Sequence, residues 1–228
     1  MTGVSESLPW LSASQQAAVA RLRDVLHRGG VALLCGPAGT GKTRLLQQLA
    51  GERAAAGHDV RGPLTLGQLG REVADTGEPV ASREAPRSRS TVVLLDDAHA
   101  IADAAELTRV VTGLEQRGTA VVLAGEGRLL TLLARQPDLE QRVVLRAPLR
   151  PWDAGESHHL IAAAIPELLA SGDAASLTQR LHELAAGIPR QLVRLIDTVR
   201  MVLSTEPGHR LSVDDLETFH RRLFMQAA

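Results

Sequence analysis

The sequence predicts an α/β domain built on a parallel β-sheet, followed by a small all-helical domain. Over the first 150 residues, apolar runs typical of buried strands alternate with segments of helical periodicity, which is the pattern of a parallel sheet covered by helices. A glycine-rich segment joins the first strong strand to the next helix. Beyond residue 150 only helical periodicity remains. We therefore expect an α/β domain over residues 1–150 and a helical domain over residues 151–228.

The predicted strands are short and apolar, and turn residues or helices separate them. Buried strands are expected at residues 31–35, 91–95, 120–124 and 143–145, and a shorter strand at 58–61. The predicted helices cover residues 14–29, 42–56, 65–75, 103–117, 129–133, 154–164, 174–186, 190–204 and 212–225.

The composition limits the classes of function. The net charge is −1, whereas a protein that grips nucleic acid along its whole surface is usually strongly basic. A local basic patch remains open, because residues 76–90 contain Arg83, Arg87 and Arg89 among prolines and serines. We predict a solvated loop there, with contact to DNA or to an acidic partner as the alternative.

The ends and the cysteine content indicate a cytoplasmic chain. The single cysteine, Cys35, excludes an internal disulfide and fits a reducing compartment. The N-terminus lacks a secretory signal pattern, and no apolar run approaches the ~18 residues that span a bilayer. We expect any membrane association to come through a partner.

Lys42 is the only lysine in the chain and lies inside the pattern GxxxxGK[ST]. Such a loop, between a strand and a helix, brings backbone N–H groups against phosphate oxygens, and its lysine reaches the β- and γ-phosphates of a nucleotide. The predicted nucleotide-binding residues are Gly36, Pro37, Ala38, Gly39, Thr40, Gly41, Lys42 and Thr43.

A metal and a base are predicted from the next strong strand. Thr43 offers a hydroxyl to Mg²⁺, and Asp96 ends an apolar strand at the edge of the sheet that carries the loop. We therefore predict ATP and Mg²⁺ as ligands, with Thr43 and Asp96 at the metal. Asp97 is the candidate base for the attacking water, with a surface carboxylate as the alternative. His99 is either a packing residue or one that orients water or senses the nucleotide.

The phosphate-binding loop is the first of an ordered series of motifs. After it come a PLTLGQL stretch from Pro63, DDAH from Asp96, AGEGRL from Ala124, the pair Gln141-Arg142 and the GIPR turn that ends at Arg190. This series resembles that of AAA+ ATPases, and more narrowly that of the general secretion pathway protein A (ExeA)-like P-loop family. The resemblance covers about residues 10–220 and implies a P-loop NTPase sheet of the AAA+ type with a helical lid.

The resemblance also implies roles for two arginines. Arg142 falls where such ATPases place an arginine finger that reaches a neighbouring subunit's nucleotide, and Arg190 falls where a lid arginine contacts the γ-phosphate. Two residues depart from the family pattern. Asp97 stands where glutamate is usual, and Glu126 stands where a polar sensor, commonly glutamine, is usual. Both departures predict slow hydrolysis, because the shorter base sits farther from water and a carboxylate repels phosphate unless it serves the metal or pairs with an arginine.

The leading hypothesis is therefore an ATPase, with Lys42, Asp97, Arg142 and Arg190 as catalytic residues, that forms a homo-oligomer and assembles or remodels a protein complex of the secretion or pilus type. Many secretion relatives carry a membrane segment and a cell-wall-binding domain after the ATPase, which we do not expect in this sequence; either a partner provides the link to the envelope, or the function lies elsewhere. A DNA-associated regulator of the transposition ATPase (TnsC/TniB-like) kind is the alternative, which the near-neutral charge disfavours. A small-molecule kinase fits the C-terminal helices poorly.

Overall fold

The computed structural model describes residues 11–76, 91–169, 172–206 and 208–225. The chain divides into two compact units. One is Ser14–Arg150, and the other contains Pro151–Ala228 with the residues before Ser14. Most of the segment predicted as a solvated loop, residues 77–90 with Arg83, Arg87 and Arg89, lies outside the described residues.

The first unit alternates strands and helices. From the N-terminal side its elements are α1 (Ala13–Arg28), β1 (Val31–Cys35), α2 (Lys42–Ala55), β2 (Asp59–Leu64), α3 (Leu66–Thr76), β3 (Thr91–Leu95), α4 (Ala104–Glu115), β4 (Ala120–Gly125), α5 (Gly127–Ala134), α6 (Pro137–Arg142) and β5 (Val143–Pro148). A 3₁₀ turn, Ala98–Ala100, lies between β3 and α4.

The five strands form one parallel sheet in the order β2-β3-β4-β1-β5. Its central strands are aliphatic, and Leu33, Val93 and Leu123 are fully buried. Parallel strands end at a common edge, so the residues that follow β1, β3 and β4 meet there. The predicted fold class, a parallel P-loop sheet with helices around it and a helical C-terminal region, is confirmed.

The prediction of a buried strand at residues 143–145 is wrong in one respect. Strand β5 lies at the edge of the sheet and pairs only with β1. Its side chains therefore alternate in exposure, and Val144 is 65% exposed. An apolar triplet resembles a central strand in sequence, but the order of strands decides how much of it is covered.

The second unit is helical throughout its described part. Its elements are α7 (Ala154–Ala164), α8 (Pro166–Leu169), α9 (Ala174–Leu184), α10 (Pro189–Thr205), α11 (Val213–His220) and a π-helical segment, Arg221–Met225. Its core is formed by Trp152 and by leucine, isoleucine and valine side chains of the helices. Helices α6 and α8 were not predicted from the sequence, because helices of six and four residues show no periodicity.

No helix in the described part of the chain is both long and apolar enough to cross a bilayer.

Candidate nucleotide-binding site

The loop between β1 and α2 is shaped for close approach to a ligand. Gly41, the residue before α2, has φ 97°, a left-handed conformation that glycine adopts without strain. A Cβ added there would lie 2.9 Å from Nε2 of Gln15. The Gln15 amide in turn donates a hydrogen bond of 2.9 Å to the Thr40 carbonyl. The loop is thus supported from behind by a buried side chain of α1.

Lys42 is nearly buried, and its ammonium stays at the loop. Nζ donates to the carbonyl of Gly36 at 2.8 Å and to that of Pro37 at 2.9 Å. The Thr40 hydroxyl donates to the same Pro37 carbonyl at 2.8 Å. These bonds hold the Lys42 ammonium beside the backbone of the loop that precedes α2. A phosphate group bound to the loop would therefore lie close to this cation.

The N-terminus of α2 is open. The first N–H groups of any helix have no partner within the helix, and Gly41 supplies no side-chain cap to them. The partial positive charge of the helix end and the Lys42 ammonium then favour an anion at this place. The loop and α2 therefore fit the phosphates of a nucleotide.

Thr43, in α2, and Asp96, which follows β3, lie next to each other. The Thr43 hydroxyl donates to Oδ2 of Asp96 at 2.5 Å, and Asp96 is nearly buried. The described residues contain no group of three or more His, Cys, Asp or Glu side chains that would enclose a metal. Mg²⁺ in nucleotide sites needs few protein ligands, because phosphates and water complete its shell. One hydroxyl and one carboxylate therefore fit this ion.

Asp97 follows Asp96 in a strained conformation. Its φ of 49° is left-handed, which is unusual for a residue with a side chain. The Asp97 N–H donates to Oδ1 of Asp96 at 2.9 Å, so the turn is fixed by the same carboxylate that accepts the Thr43 hydroxyl. This geometry leaves 59% of the Asp97 side chain exposed at the carboxyl edge of the sheet.

Glu126 lies at the same edge, immediately after β4. It precedes α5 without capping it, because its side chain makes no hydrogen bond to the helix N-terminus. The neighbouring Gly125 carbonyl accepts a 3.2 Å bond from the Gly36 N–H, which joins this strand end to the phosphate loop. His99 lies between Glu126 and Asp97. One of its ring nitrogens is 3.9 Å from a carboxylate oxygen of Asp97, and the other is 3.9 Å from a carboxylate oxygen of Glu126.

Arg142 lies at the opposite end of the strands from the loop, where β1 and β5 begin. It ends α6 directly before β5, and Val143 pairs with Val31 at the start of β1. The loop follows the end of β1, one strand length away, about 16 Å at ~3.3 Å per residue. Within its own chain Arg142 donates to Oε2 of Glu115 at 2.8 Å. The sheet therefore does not bring Arg142 to its own phosphate loop.

Arg190 belongs to the helical unit, in the first turn of α10, where it is exposed. The GIPR turn before it has a structural cause. Gly187 has φ 65°, and a Cβ there would lie 2.3 Å from the Trp152 carbonyl. Pro189 then begins α10 at a position that needs no N–H. The role of Arg190 towards a nucleotide stays a prediction.

Two residues that contact predicted functional residues were missed from the sequence. Gln15 carried a readable signal, because a buried polar residue lies on the same helical face as Ala18, Val19 and Leu22. Glu115 carried none. It is 27 positions from Arg142, and only the packing of α4 beside α6 shows that they pair.

Residues 10–131, more than half of the chain, match the family model of the AAA domain. The protein therefore belongs to the AAA domain family. Its parallel sheet with surrounding helices is the AAA+ P-loop NTPase fold.

Solved structures agree on this fold. The chain is similar to the ORC2 protein of Aeropyrum pernix, solved in ADPNP-ADP complexes, with a TM-score of 0.61 and 17% identity over 94% of this chain and 68% of that one. It is also similar to RuvB of Thermotoga maritima, a Holliday junction branch migration motor, with a TM-score of 0.59 and 22% identity over 92% and 68% of the two chains. No curated protein matches the sequence.

Proposed function

We propose that the protein is an ATPase that binds ATP with Mg²⁺ at the loop before α2 and uses nucleotide-dependent self-assembly to assemble or remodel a protein complex. One observation carries this proposal. The uncapped N-terminus of α2, the buried Lys42 and the Thr43–Asp96 pair all meet at one edge of the sheet. Membership of the AAA domain family supports the same function.

In the proposed reaction, α2 and Lys42 bind the phosphate oxygens and offset the charge that develops on them. Thr43 and Asp96 would hold Mg²⁺, which supplies charge neutralisation at the β- and γ-phosphates when it is bound. Asp97 accepts a proton from water as the water oxygen attacks the γ-phosphorus, and the bond to the bridging oxygen breaks to release ADP. Aspartate reaches less far than glutamate, so we expect slow turnover.

We further propose that Arg142 acts on the nucleotide of a neighbouring chain. Its distance of about one strand length from its own loop disfavours action within one chain. To reach a neighbour, the guanidinium must leave Glu115, whose carboxylate lies 2.8 Å away. Arg190 is proposed to contact the γ-phosphate from the helical unit.

The first test measures ATP turnover against protein concentration for wild type and for Arg142→Ala. Turnover per chain is expected to rise with concentration in wild type and to be lost in Arg142→Ala, which still binds nucleotide. Arg146→Ala is the matched control, because Arg146 is also an arginine of this segment with a salt bridge, to Glu140 at 2.6 Å. It should keep wild-type turnover.

Mixing two inactive variants separates action between chains from action within one. Lys42→Ala keeps the arginine but loses the site, and Arg142→Ala keeps the site but loses the arginine. A mixture is expected to regain part of the wild-type turnover. A mixture as inactive as its components, together with turnover that does not depend on concentration, would overturn the proposed role of Arg142.

We propose that the protein complex is of the secretion or pilus type. This rests on the resemblance of the motif series, from Pro63 to the GIPR turn, to the ExeA-like family. The alternative is a DNA-associated regulator of the TnsC/TniB kind. It is favoured by the similarity to RuvB, a Holliday junction branch migration motor, and disfavoured by the net charge of −1. Nucleotide-dependent binding to duplex DNA that falls steeply with salt concentration would favour the alternative.

A further inference from the structure

We propose that His99 is a positioning residue that lets this site accept a triphosphate despite Glu126. This inference rests on the proposed function of the loop as an ATP site. It assigns His99 a specific effect, which is discrimination between ATP and ADP.

Glu126 is close enough to the loop for its charge to contribute to the electrostatic potential there. Its neighbour Gly125 pairs with Cys35 in the sheet, and the Gly36 N–H bonds to the Gly125 carbonyl. Burial raises the pKa of the Cys35 thiol, the Lys42 charge lowers it, and the Glu126 charge raises it. The fields of both side chains thus overlap where β1 runs into the loop.

A carboxylate at this place repels phosphate, and more strongly when a γ-phosphate is present. Like charges within several ångströms disfavour each other in a partly desolvated site. The γ-phosphate adds negative charge at the end of the nucleotide that faces the carboxyl edge of the sheet. An unaccompanied Glu126 would therefore lower the affinity for ATP more than that for ADP.

His99 is held so that it faces both carboxylates of this edge. Nδ1 lies 3.9 Å from Oδ1 of Asp97, and Nε2 lies 3.9 Å from Oε1 of Glu126. These distances are longer than a hydrogen bond, but they place the ring between the two charges. The side chain is only 21% exposed, whereas those of Asp97 and Glu126 are 59% and 41% exposed.

The backbone that carries the ring lies close to the end of β4. His99 belongs to the 3₁₀ turn after Asp97. A Cβ on Gly125 would lie 3.2 Å from the backbone nitrogen of His99. The buried Nδ1 has no hydrogen-bond partner among the described residues. The imidazole carries at least one N–H that can turn towards a carboxylate.

The structure therefore gives His99 a role that a packing residue lacks. An N–H that Nε2 turns towards Glu126 would offset part of the carboxylate's repulsion of the γ-phosphate, while Nδ1 faces the proposed base, Asp97. Removing His99 should affect the triphosphate selectively, and removing the charge of Glu126 should make His99 dispensable for binding.

The test measures affinities for ADP and for a non-hydrolysable ATP analogue, both with Mg²⁺, in wild type, His99→Ala, Glu126→Gln and the double variant. His99→Ala should weaken analogue binding about tenfold, the size expected when one N–H donor beside a carboxylate is lost, and ADP binding less than twofold. The double variant should recover wild-type analogue affinity. His99→Asn, which keeps an N–H donor, should recover part of it.

The outcomes separate the inference from the proposed function. If wild type binds neither nucleotide, the proposed ATP site is wrong. If wild type binds both and His99→Ala weakens them equally, or if Glu126→Gln fails to rescue it, His99 is a packing residue and the inference is overturned. His159→Ala is the matched control, because His159 is exposed in the helical unit and bonds only to the Gly155 carbonyl in the part described. It should change neither affinity.

Discussion

Helix α11, in the helical unit, and helix α2, in the α/β unit, begin differently. At α11 the Ser212 hydroxyl accepts the Asp215 N–H at 3.2 Å, and the Asp215 carboxylate accepts the Ser212 N–H at 2.9 Å. At α2 the preceding residue is Gly41, which brings no side chain to the helix end. Both ends begin with N–H groups that have no partner within the helix and carry the same partial positive charge, but only α11 has a side-chain cap for them.

A capped helix end and an uncapped one have different needs. A reciprocal cap satisfies the end within the chain, so α11 contributes stability and needs no ligand. An uncapped end beside a buried cation leaves its donors for an anion from outside. Helix α7 has the same capping box as α11, formed by Asp153 and Glu156. Helix α5 resembles α2, because Glu126 precedes it without bonding to its N–H groups.

Lys42→Met is expected to change nucleotide binding at the open end of α2 more than any other substitution considered. The substitution keeps the length of the side chain and removes the cation at the open end of α2. We expect nucleotide affinity to fall on the order of 100-fold, since charge-assisted hydrogen bonds contribute about 1.5–3 kcal/mol. Titration with a fluorescent nucleotide measures this. Undiminished affinity would show that the α2 N-terminus is not the phosphate site.

A smaller effect is expected from Gln15→Leu, which removes the support behind the same end. The Thr40 carbonyl would lose its 2.9 Å bond from the Gln15 amide. An unsatisfied buried carbonyl costs about 1–3 kcal/mol, so the loop should shift and nucleotide affinity should fall about tenfold. Gln16→Leu, at the exposed neighbouring position, is the control. Equal nucleotide affinities in Gln15→Leu and Gln16→Leu would show that Gln15 does not support the loop.

Ser212→Ala should act on the capped end alone. Loss of an N-cap costs about 1 kcal/mol of stability, and nucleotide affinity should stay at the wild-type value. Urea unfolding measures the first and nucleotide titration the second. Ser204→Ala is the control, because that hydroxyl donates to the Met201 carbonyl within α10 and caps no N-terminus. A binding defect in Ser212→Ala would contradict the separation drawn between the two ends.

The smallest expected effect is on the pH dependence of the same cap. Hydrogen bonds from the side chain and the backbone of Ser212 lower the pKa of Asp215. A carboxyl whose pKa is lower in the folded state contributes stability above its unfolded pKa, about 3.9 for aspartate, and loses it as the pH falls through the folded value. The destabilisation by Ser212→Ala should therefore be smaller at pH 3 than at pH 7. An equal loss at both would exclude this linkage.

Much of the α/β unit could be predicted because its signals are local. The run before Gly36, the loop itself and the helix that begins at Lys42 are contiguous in sequence, and Asp96 follows an apolar strand. The order of strands is not local, so the exposure of Val144 at the sheet edge could not be read from its own triplet.

The same limit applies to the site. Each candidate side chain could be proposed from a motif, but its partners come from elements that are distant in sequence. The position of His99 between Asp97 and Glu126 depends on β3 lying next to β4. The pairing of Arg142 with Glu115 depends on α6 packing beside α4. Such contacts follow from tertiary packing rather than from spacing along the chain.

The single lysine has a practical consequence. A lysine-specific endoprotease has one peptide bond to cleave in this sequence, after Lys42. In the folded chain that side chain is nearly buried and bonded to the carbonyls of Gly36 and Pro37. The rate of the single cut therefore reports how often the first turn of α2 opens. The protein carries its own proteolytic reporter at the place where its ligand is proposed to bind.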